Sequence, residues 1–305
     1  MKKPTLRDIA AQAGVSVATV SYVLSNNEKE TIAETTRQNI LNIAKELGYV
    51  PNLVARSLTK GKSGMIGILI ADDWKNRFEW KINCYSELIN VIEKKLAEKG
   101  YHVLISFINV DKPNVDVIMQ RKLDGVFLID FRKELFYTIA KNFKVPIVLI
   151  DSYIDDYLFQ KVVPGLGNAI CKAKSLLNNS DSILIAHNYF NDEIKEQILN
   201  TMRSPLQKQI YFMESLEGLE AFIHNNRHIE QCIVINEFIG CMVSRYISSE
   251  NMIVIGICGC SNILPKDVRV LSFNNEFKGE TAVNTMLDYV DGIFYKDKYI
   301  VLEAD

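Results

Sequence analysis

Residues 5–24, read TLRDIAAQAGVSVATVSYVL, constrain the fold more tightly than any other stretch of the chain. Thr5 with Asp8 three residues on has the form of a capping box, which fixes where a helix starts. Leu6, Ile9, Ala10 and Ala13 recur at helical spacing and give one inward-facing stripe. Gly14, free to take a positive φ, ends that helix. Ser16 is placed to cap a second helix, with Val20, Val23 and Leu24 as its buried face. Two such helices joined by a glycine turn make either an ordinary helical hairpin or the unit that lays its second helix in a DNA major groove.

The next forty residues favour the second alternative. After a polar stretch at 25–30, Thr31 and Glu34 offer another capping box, and Ile40, Ile43, Ala44 and Leu47 predict a third helix ending at Gly48. The expected unit is a three-helix head over residues 1–50. Pro51 forces an extended step. Asn52 then caps a segment of one to two helical turns through Leu58, too short to hold a helix alone in water. Polar, glycine-bearing residues (TKGKSG, 59–64) follow, so 51–64 is expected to be a hinge helix with its linker.

From Met65 onward apolar strands alternate with amphipathic helices. MIGILIA, HVLISFI, GVFLID and PIVLID form one series, and SILIAH, QIYFM, CIVIN, MIVIGIC and VRVLSF a second, with YIVLE closing the chain. Such alternation means parallel sheets covered on both faces. Two series predict a core over 65–305 of two doubly wound subdomains, with ligands bound between them at the strands' carboxyl ends. The N-subdomain is expected at about 65–155 plus 275–295, and the C-subdomain at about 156–274 plus 296–305.

Charge is distributed unevenly. The whole chain carries −2, yet residues 1–62 hold nine Lys or Arg against five acids, leaving an acidic remainder. A basic head on an acidic body suits phosphate neutralisation by one part only. Met-Lys-Lys followed by Pro4 and a polar amphipathic helix is not a signal peptide, and no apolar run is long enough to span a bilayer. A cytoplasmic protein without a membrane partner is therefore expected. The six cysteines (84, 171, 232, 241, 258, 260) avoid paired C-x-x-C spacing and mostly sit in apolar runs, as buried reduced thiols would. Cys258 and Cys260 have no nearby His, and His224 and His228 suggest a solvated helix end, so neither a metal nor a cofactor is expected.

Three stretches, TLRDIAAQAGVSVATVSYVLSN, ETTRQNILNIAKELGYVPN and LVARSL, together resemble the LacI/GalR family of bacterial transcription regulators. Weaker matches continue through EKGYHVLI, LDGVFLI, VPIVLID and GETAVNTML, as in a core that resembles periplasmic binding proteins. The resemblance implies a regulator, normally a repressor, binding a palindromic operator in double-stranded DNA as a homodimer, with a tetramer left open. It implies base reading by Val17, Ala18 and Tyr22 in the major groove, and by Ala55 and Leu58 of the hinge in the minor groove. Leu58 would be the wedge that kinks the duplex. Thr5, Leu6, Ser16, Thr19, Ser21, Asn52 and Arg56 fall where the family contacts the DNA backbone. Val17 and Ala18 cannot donate to a base edge, and Tyr22 stands where an arginine is common, so bidentate reading of guanine is lost there. Specificity is then expected to lean on the hinge and on DNA deformability.

For a small-molecule effector the resemblance points to Tyr85, as a stacking aromatic, and to Asp151, at the end of a strand. Elsewhere the family pattern lapses: Val162-Val163-Pro164 stands where an Asp is common, and Gly256-Ile257-Cys258 where Gly-aromatic-Asp is common. The expectation is a more apolar ligand than a sugar, or a core that serves mainly for dimerisation. An alternative reading is an intracellular solute-binding sensor with the same core. No enzyme is expected: Gly165-x-Gly167 lacks a phosphate turn, and no nucleophile elbow, P-loop or ligand cluster appears.

Overall fold

The computed structural model describes residues 4–24, 31–49, 62–74, 79–178, 181–189, 191–202 and 209–305. The chain divides into two compact units, Met1–Ser63 and Gly64–Asp305.

In the first unit, α1 (Leu6–Ala13), α2 (Val17–Leu24) and α3 (Glu34–Glu46) pack around Ile9, Ala10, Val20, Val23, Ile40, Ile43 and Ala44. The capping box at Thr5 and Asp8 is formed, and Gly14 turns the chain at φ 68°. That left-handed turn is open to glycine at little cost. Ser16 Oγ accepts from the Thr19 amide at 3.0 Å and so caps α2. The capping box expected at Thr31 is absent. Helix α3 starts later, with Ala33 at its N-cap and no side-chain cap, which leaves the Thr31 hydroxyl outside capping reach. Glu34 instead accepts from Gln38 Nε2 at 2.8 Å, one turn ahead. The expected hinge residues Asn52, Ala55, Arg56 and Leu58 lie outside the described residues.

The second unit holds β1 (Met65–Asp72), α4 (Glu79–Glu98), β2 (His102–Asn109), the single turn α5 (Asp116–Met119), β3 (Gly125–Ile129), α6 (Lys133–Ala140), β4 (Ile147–Ile150) and β5 (Gln160–Pro164). It continues with α7 (Leu166–Leu176), β6 (Ser182–His187), α8 (Asp192–Met202), β7 (Ile210–Met213), α9 (Leu216–Asn225), β8 (Gln231–Ile235), α10 (Glu237–Val243), β9 (Met252–Gly256), β10 (Arg269–Ser272), α11 (Asn275–Val290) and β11 (Tyr299–Leu302).

Two wholly parallel sheets result, ordered β11-β5-β4-β3-β1-β2 and β10-β9-β8-β6-β7. Side chains alternate across each sheet as the pleat requires. Ile66, Ile68 and Ile70 pack under α4 and α11, while Leu69 and Ala71 face α5 and α6. In the second sheet Leu184 and Ala186 face α7 and α8, while Ile183 and Ile185 face α9 and α10. Both faces of both sheets are therefore dry, which suits the continuous apolar strands.

The subdomain boundaries differ from the expectation. Strand β5 pairs with β4 and β11 pairs with β5, so both complete the first sheet and neither joins the second. Only the last residues reach the second sheet, where Asp305 and Ser272 exchange both backbone hydrogen bonds. The polar start of β5 is what hides it: Gln160 and Lys161 are buried, and Lys161 donates to the carbonyls of Asp156 and Phe159 instead of reaching water. Among the described residues no helix is long and apolar enough to cross a membrane.

Candidate functional site

Helix α2 divides its residues cleanly. Val20 and Val23 point into the head core, while Val17, Ala18, Ser21 and Tyr22 are exposed. An eight-residue helix that exposes a valine in its first turn and a tyrosine in its second has apolar surface to offer a partner. The residues flanking it are polar: Ser16 is exposed and Thr19 half-buried, their hydroxyls 2.9 Å apart. Thr5 is exposed at the start of α1, and Leu6 beside it is half-buried against the head core. These described candidates lie at the N-terminal ends of α1 and α2 and along α2, where amides unpaired within the helix favour anionic groups.

In the core, Tyr85 and Asp151 come together in one cavity, lined also by Asp130, Lys278, His187 and Tyr189. Asp130 and Asp151 follow β3 and β4 directly, and both are left-handed, at φ 60° and 51°. Left-handed backbone at a residue other than glycine is strained and gathers at functional sites. Lys278, on the first turn of α11 and almost wholly buried, donates to Asp151 Oδ2 at 2.5 Å. Burial, and after it the carboxylates of Asp130 and Asp151, hold the Tyr85 hydroxyl well above the ordinary phenol range. Tyr189 is raised by burial and then by Asp151 and Asp130. Its hydroxyl and Asp151 Oδ1 have no hydrogen-bond partner among the described residues.

This cavity is more polar than the sequence suggests. Its charges all come from the first sheet's half, and its ring-bearing wall (His187, Tyr189, Phe273) from the second. Sequence reasoning missed Asp130, Lys278, His187 and Tyr189. Asp130 had a signal, since GVFLID ends as PIVLID does, one strand over. Lys278 had none, being an ordinary helical lysine until α11 is placed. The halves meet closely: Asn191, fully buried at the start of α8, donates to the carbonyls of Phe131 at 3.2 Å and Tyr153 at 2.9 Å. Only about 20 Å³ of cavity remains.

Glu237, Cys258 and Cys260 place a carboxylate and two sulfurs within 4.8 Å of one another. Both Glu237 oxygens already accept backbone N–H groups of 257–260 at 2.9–3.2 Å, which leaves them poorly disposed toward an ion. His224 and His228 are exposed at the end of α9 and just beyond it.

Residues 5–52 match the family model of bacterial regulatory proteins of the lacI family. The head of this chain, residues 5–52, is therefore of the lacI type. The HTH-type transcriptional regulator RegA of Clostridium saccharobutylicum is 26% identical over 90% of this chain and 83% of its own length. The HTH-type transcriptional regulator DegA of Bacillus subtilis is 37% identical, over 41% of this chain and only 35% of its own. The crystal structure of a lac repressor dimer bound to operator and an anti-inducer superposes with a TM-score of 0.72 at 16% identity, covering all of this chain and 97% of that one. Similarity to the lacI-family regulators thus runs through both head and core, and is densest in the head.

Proposed function

We propose that this DNA-binding transcriptional regulator is a repressor, acting as a homodimer on a palindromic operator. The observation that carries the reading is α2: capped by Ser16, anchored by Val20 and Val23, and presenting Val17, Ala18, Ser21 and Tyr22 outward. A helix held this way fits a major-groove half-site, and two-fold related heads read two half-sites. The lac repressor of the superposed structure is itself a dimer on operator DNA, which supports the pairing. Thr5, Leu6, Ser16, Thr19 and Ser21 take the backbone of each half-site, and Val17, Ala18 and Tyr22 face its bases. Ala55 and Leu58, with Asn52 and Arg56, act in the central minor groove, a part of the proposal that rests on the family resemblance.

The core senses a small molecule at the cavity between its halves. Asp130, Asp151 and Lys278 hold the polar end and the Tyr189–His187 wall the other, an arrangement of convergent polar groups in an apolar cleft that suits ligand binding. A cavity of about 20 Å³ holds roughly one water, so a ligand enters when the halves part. Genome-wide mapping of bound sites tests the main reading: discrete palindromic sites near promoters are expected, and binding without sequence preference would refute it. Thermal-shift screening with polyols, amines and nucleosides tests the second, with stabilisation abolished by Asp151→Asn as the expected result.

A further inference from the structure

Cys84 and Cys258 lie 174 residues apart, yet their sulfurs are within bonding distance. They belong to different halves of the core. Cys84 is on α4, which packs on the first sheet and against α11, while Cys258 follows β9 of the second sheet. Cys84 belongs to the hydrophobic cluster built by the other half, which includes Ile183, Ile185 and Val234. We propose that these two cysteines form a reversible thiol–disulfide lock, oxidised by a peroxide, that holds the two halves of the core in the closed form.

The surroundings are shaped for this pairing. The loop 257–260 wraps the fully buried Glu237 carboxylate, which accepts N–H bonds from Ile257, Cys258, Gly259 and Cys260 at 2.9–3.2 Å. Such a wrapped loop holds the Cys258 sulfur in place, with few alternative positions. Gly259 has φ +75°, which favours glycine, and a Cβ there would fall on the Glu87 carboxylate, which would have to move aside. Cys84 and Glu87 are three residues apart on α4, hence on one face, and both meet the same loop. From the opposite side, Asn236 donates Nδ2 to Cys84 Sγ at 3.9 Å while its Oδ1 caps α10. Asn236 holds a strained φ of 101° at this contact.

The neighbouring Cys260 is the obvious competitor for Cys258. Its sulfur lies within 4.8 Å of both Glu237 and Cys258 Sγ, and burial, with the charges of Glu237 and Glu87 adding, pushes its thiol up to about 12. It therefore stays protonated and a poor nucleophile near neutral pH. The chemistry balances simply. Two thiols give up two protons and two electrons to one peroxide: the first sulfur takes an oxygen as the O–O bond breaks and one water leaves, and the second sulfur then displaces that oxygen as the second water, closing the S–S bond. Both sulfurs are buried here, so the reduced thiols meet the peroxide when the halves part, and the S–S bond closes as they come together again. Joining the cysteines removes that parting motion. Oxidation would then withhold the cavity from any ligand, whatever the ligand is.

The test uses the full chain, reduced and then divided between hydrogen peroxide and a dithiol reductant. Non-reducing peptide mapping should recover a Cys84–Cys258 linked peptide, two hydrogens lighter than its free components, and lost on reduction. Hydrogen exchange at residues 84–88, 191–194 and 257–260 should slow by about tenfold on oxidation. Cys84→Ser, and independently Cys258→Ala should the first fold poorly, should exchange at one rate under both conditions. Cys171→Ser, at an exposed free cysteine, should behave as the parent protein does. Free alkylation of Cys84 after peroxide would overturn the proposal, as would a Cys258–Cys260 link in its place. A link that leaves exchange unchanged would do the same, and so would stoichiometric zinc held by the reduced cysteines. None of these readouts involves DNA or a ligand, so failure here leaves the operator-binding reading intact, and the reverse holds too.

Discussion

The head and the core cleft place their polar groups in opposite ways. In the head the packed interior is entirely apolar, from Ile9 to Ala44, and the polar groups of Thr5, Asp8, Ser16 and Thr19 stay at helix ends in contact with water. In the cleft Asp130, His187 and Lys278 are each more than nine-tenths buried, in the wall between two sheets. Among the described residues of the head no polar side chain is buried in that interior. The cleft is held by charges that need each other, contributed by the ends of β3 and β4 and the start of α11, so its geometry answers to whatever enters it. The contrast fits the proposal of a DNA-reading head joined to a ligand-sensing core.

The largest effect expected from a single change is at the buried pair. Lys278→Ala leaves Asp151 and Asp130 facing each other without a cation and should cost the core about 3–5 kcal/mol, read as a lowered denaturant midpoint. The head should be unaffected. An equally large effect on the head would break the independence of the two units. The converse experiment is Ile40→Ala. Ile40 is fully buried at the centre of the head, and its truncation should cost about 2–5 kcal/mol. A unit of roughly 50 residues has little stability in reserve, so DNA binding in a gel shift should be lost while the core unfolds at its parent midpoint.

These two regions also differ in what the amino-acid order alone reveals. Thr5, Gly14 and Ser16 act on residues no more than four positions away, so their roles can be read along the chain, and α1 and α2 form as expected. The expected box at Thr31 fails because α3 starts at Glu34 after Ala33, a choice of boundary that local spacing leaves open. Two doubly wound sheets follow from the alternation of apolar runs, yet β5 is hidden. Lys161 looks solvated in sequence, and the carbonyls of Asp156 and Phe159, with the Tyr299 ring at 4.6 Å, make its burial tolerable. Tyr85 and Asp151 were legible through family resemblance. Lys278 and the contact between Cys84 and Cys258 depend on segments 127 and 174 residues distant, and no periodicity encodes such a meeting.

A smaller effect concerns what the head reads. With Val17 and Ala18 unable to donate and Tyr22 offering one hydroxyl, exchanging a half-site guanine should cost less than about 1 kcal/mol, since bidentate recognition is absent. Exchanging the operator's central step should cost about 1–3 kcal/mol, through the deformation that the hinge imposes. Gel shifts over an operator series compare the two directly. A larger loss at the guanines would mean that α2 reads sequence more strongly than its side chains suggest.

The smallest effect separates the two duties proposed for Thr5. Its hydroxyl closes the capping box with Asp8, and under the operator-binding proposal it also faces the DNA backbone. Thr5→Ala should remove both, lowering head stability by about 1 kcal/mol and weakening DNA binding with it. Thr5→Asn keeps a cap of equal or better strength but has no hydroxyl to offer. If capping is the whole contribution, Asn restores stability and affinity together. If phosphate contact matters as well, Asn restores the thermal midpoint of the head while affinity stays low, and the salt dependence of binding stays near that of Thr5→Ala, because a neutral contact releases no counterion. Neither substitution should move the unfolding of the core, whose stability rests on its own buried groups.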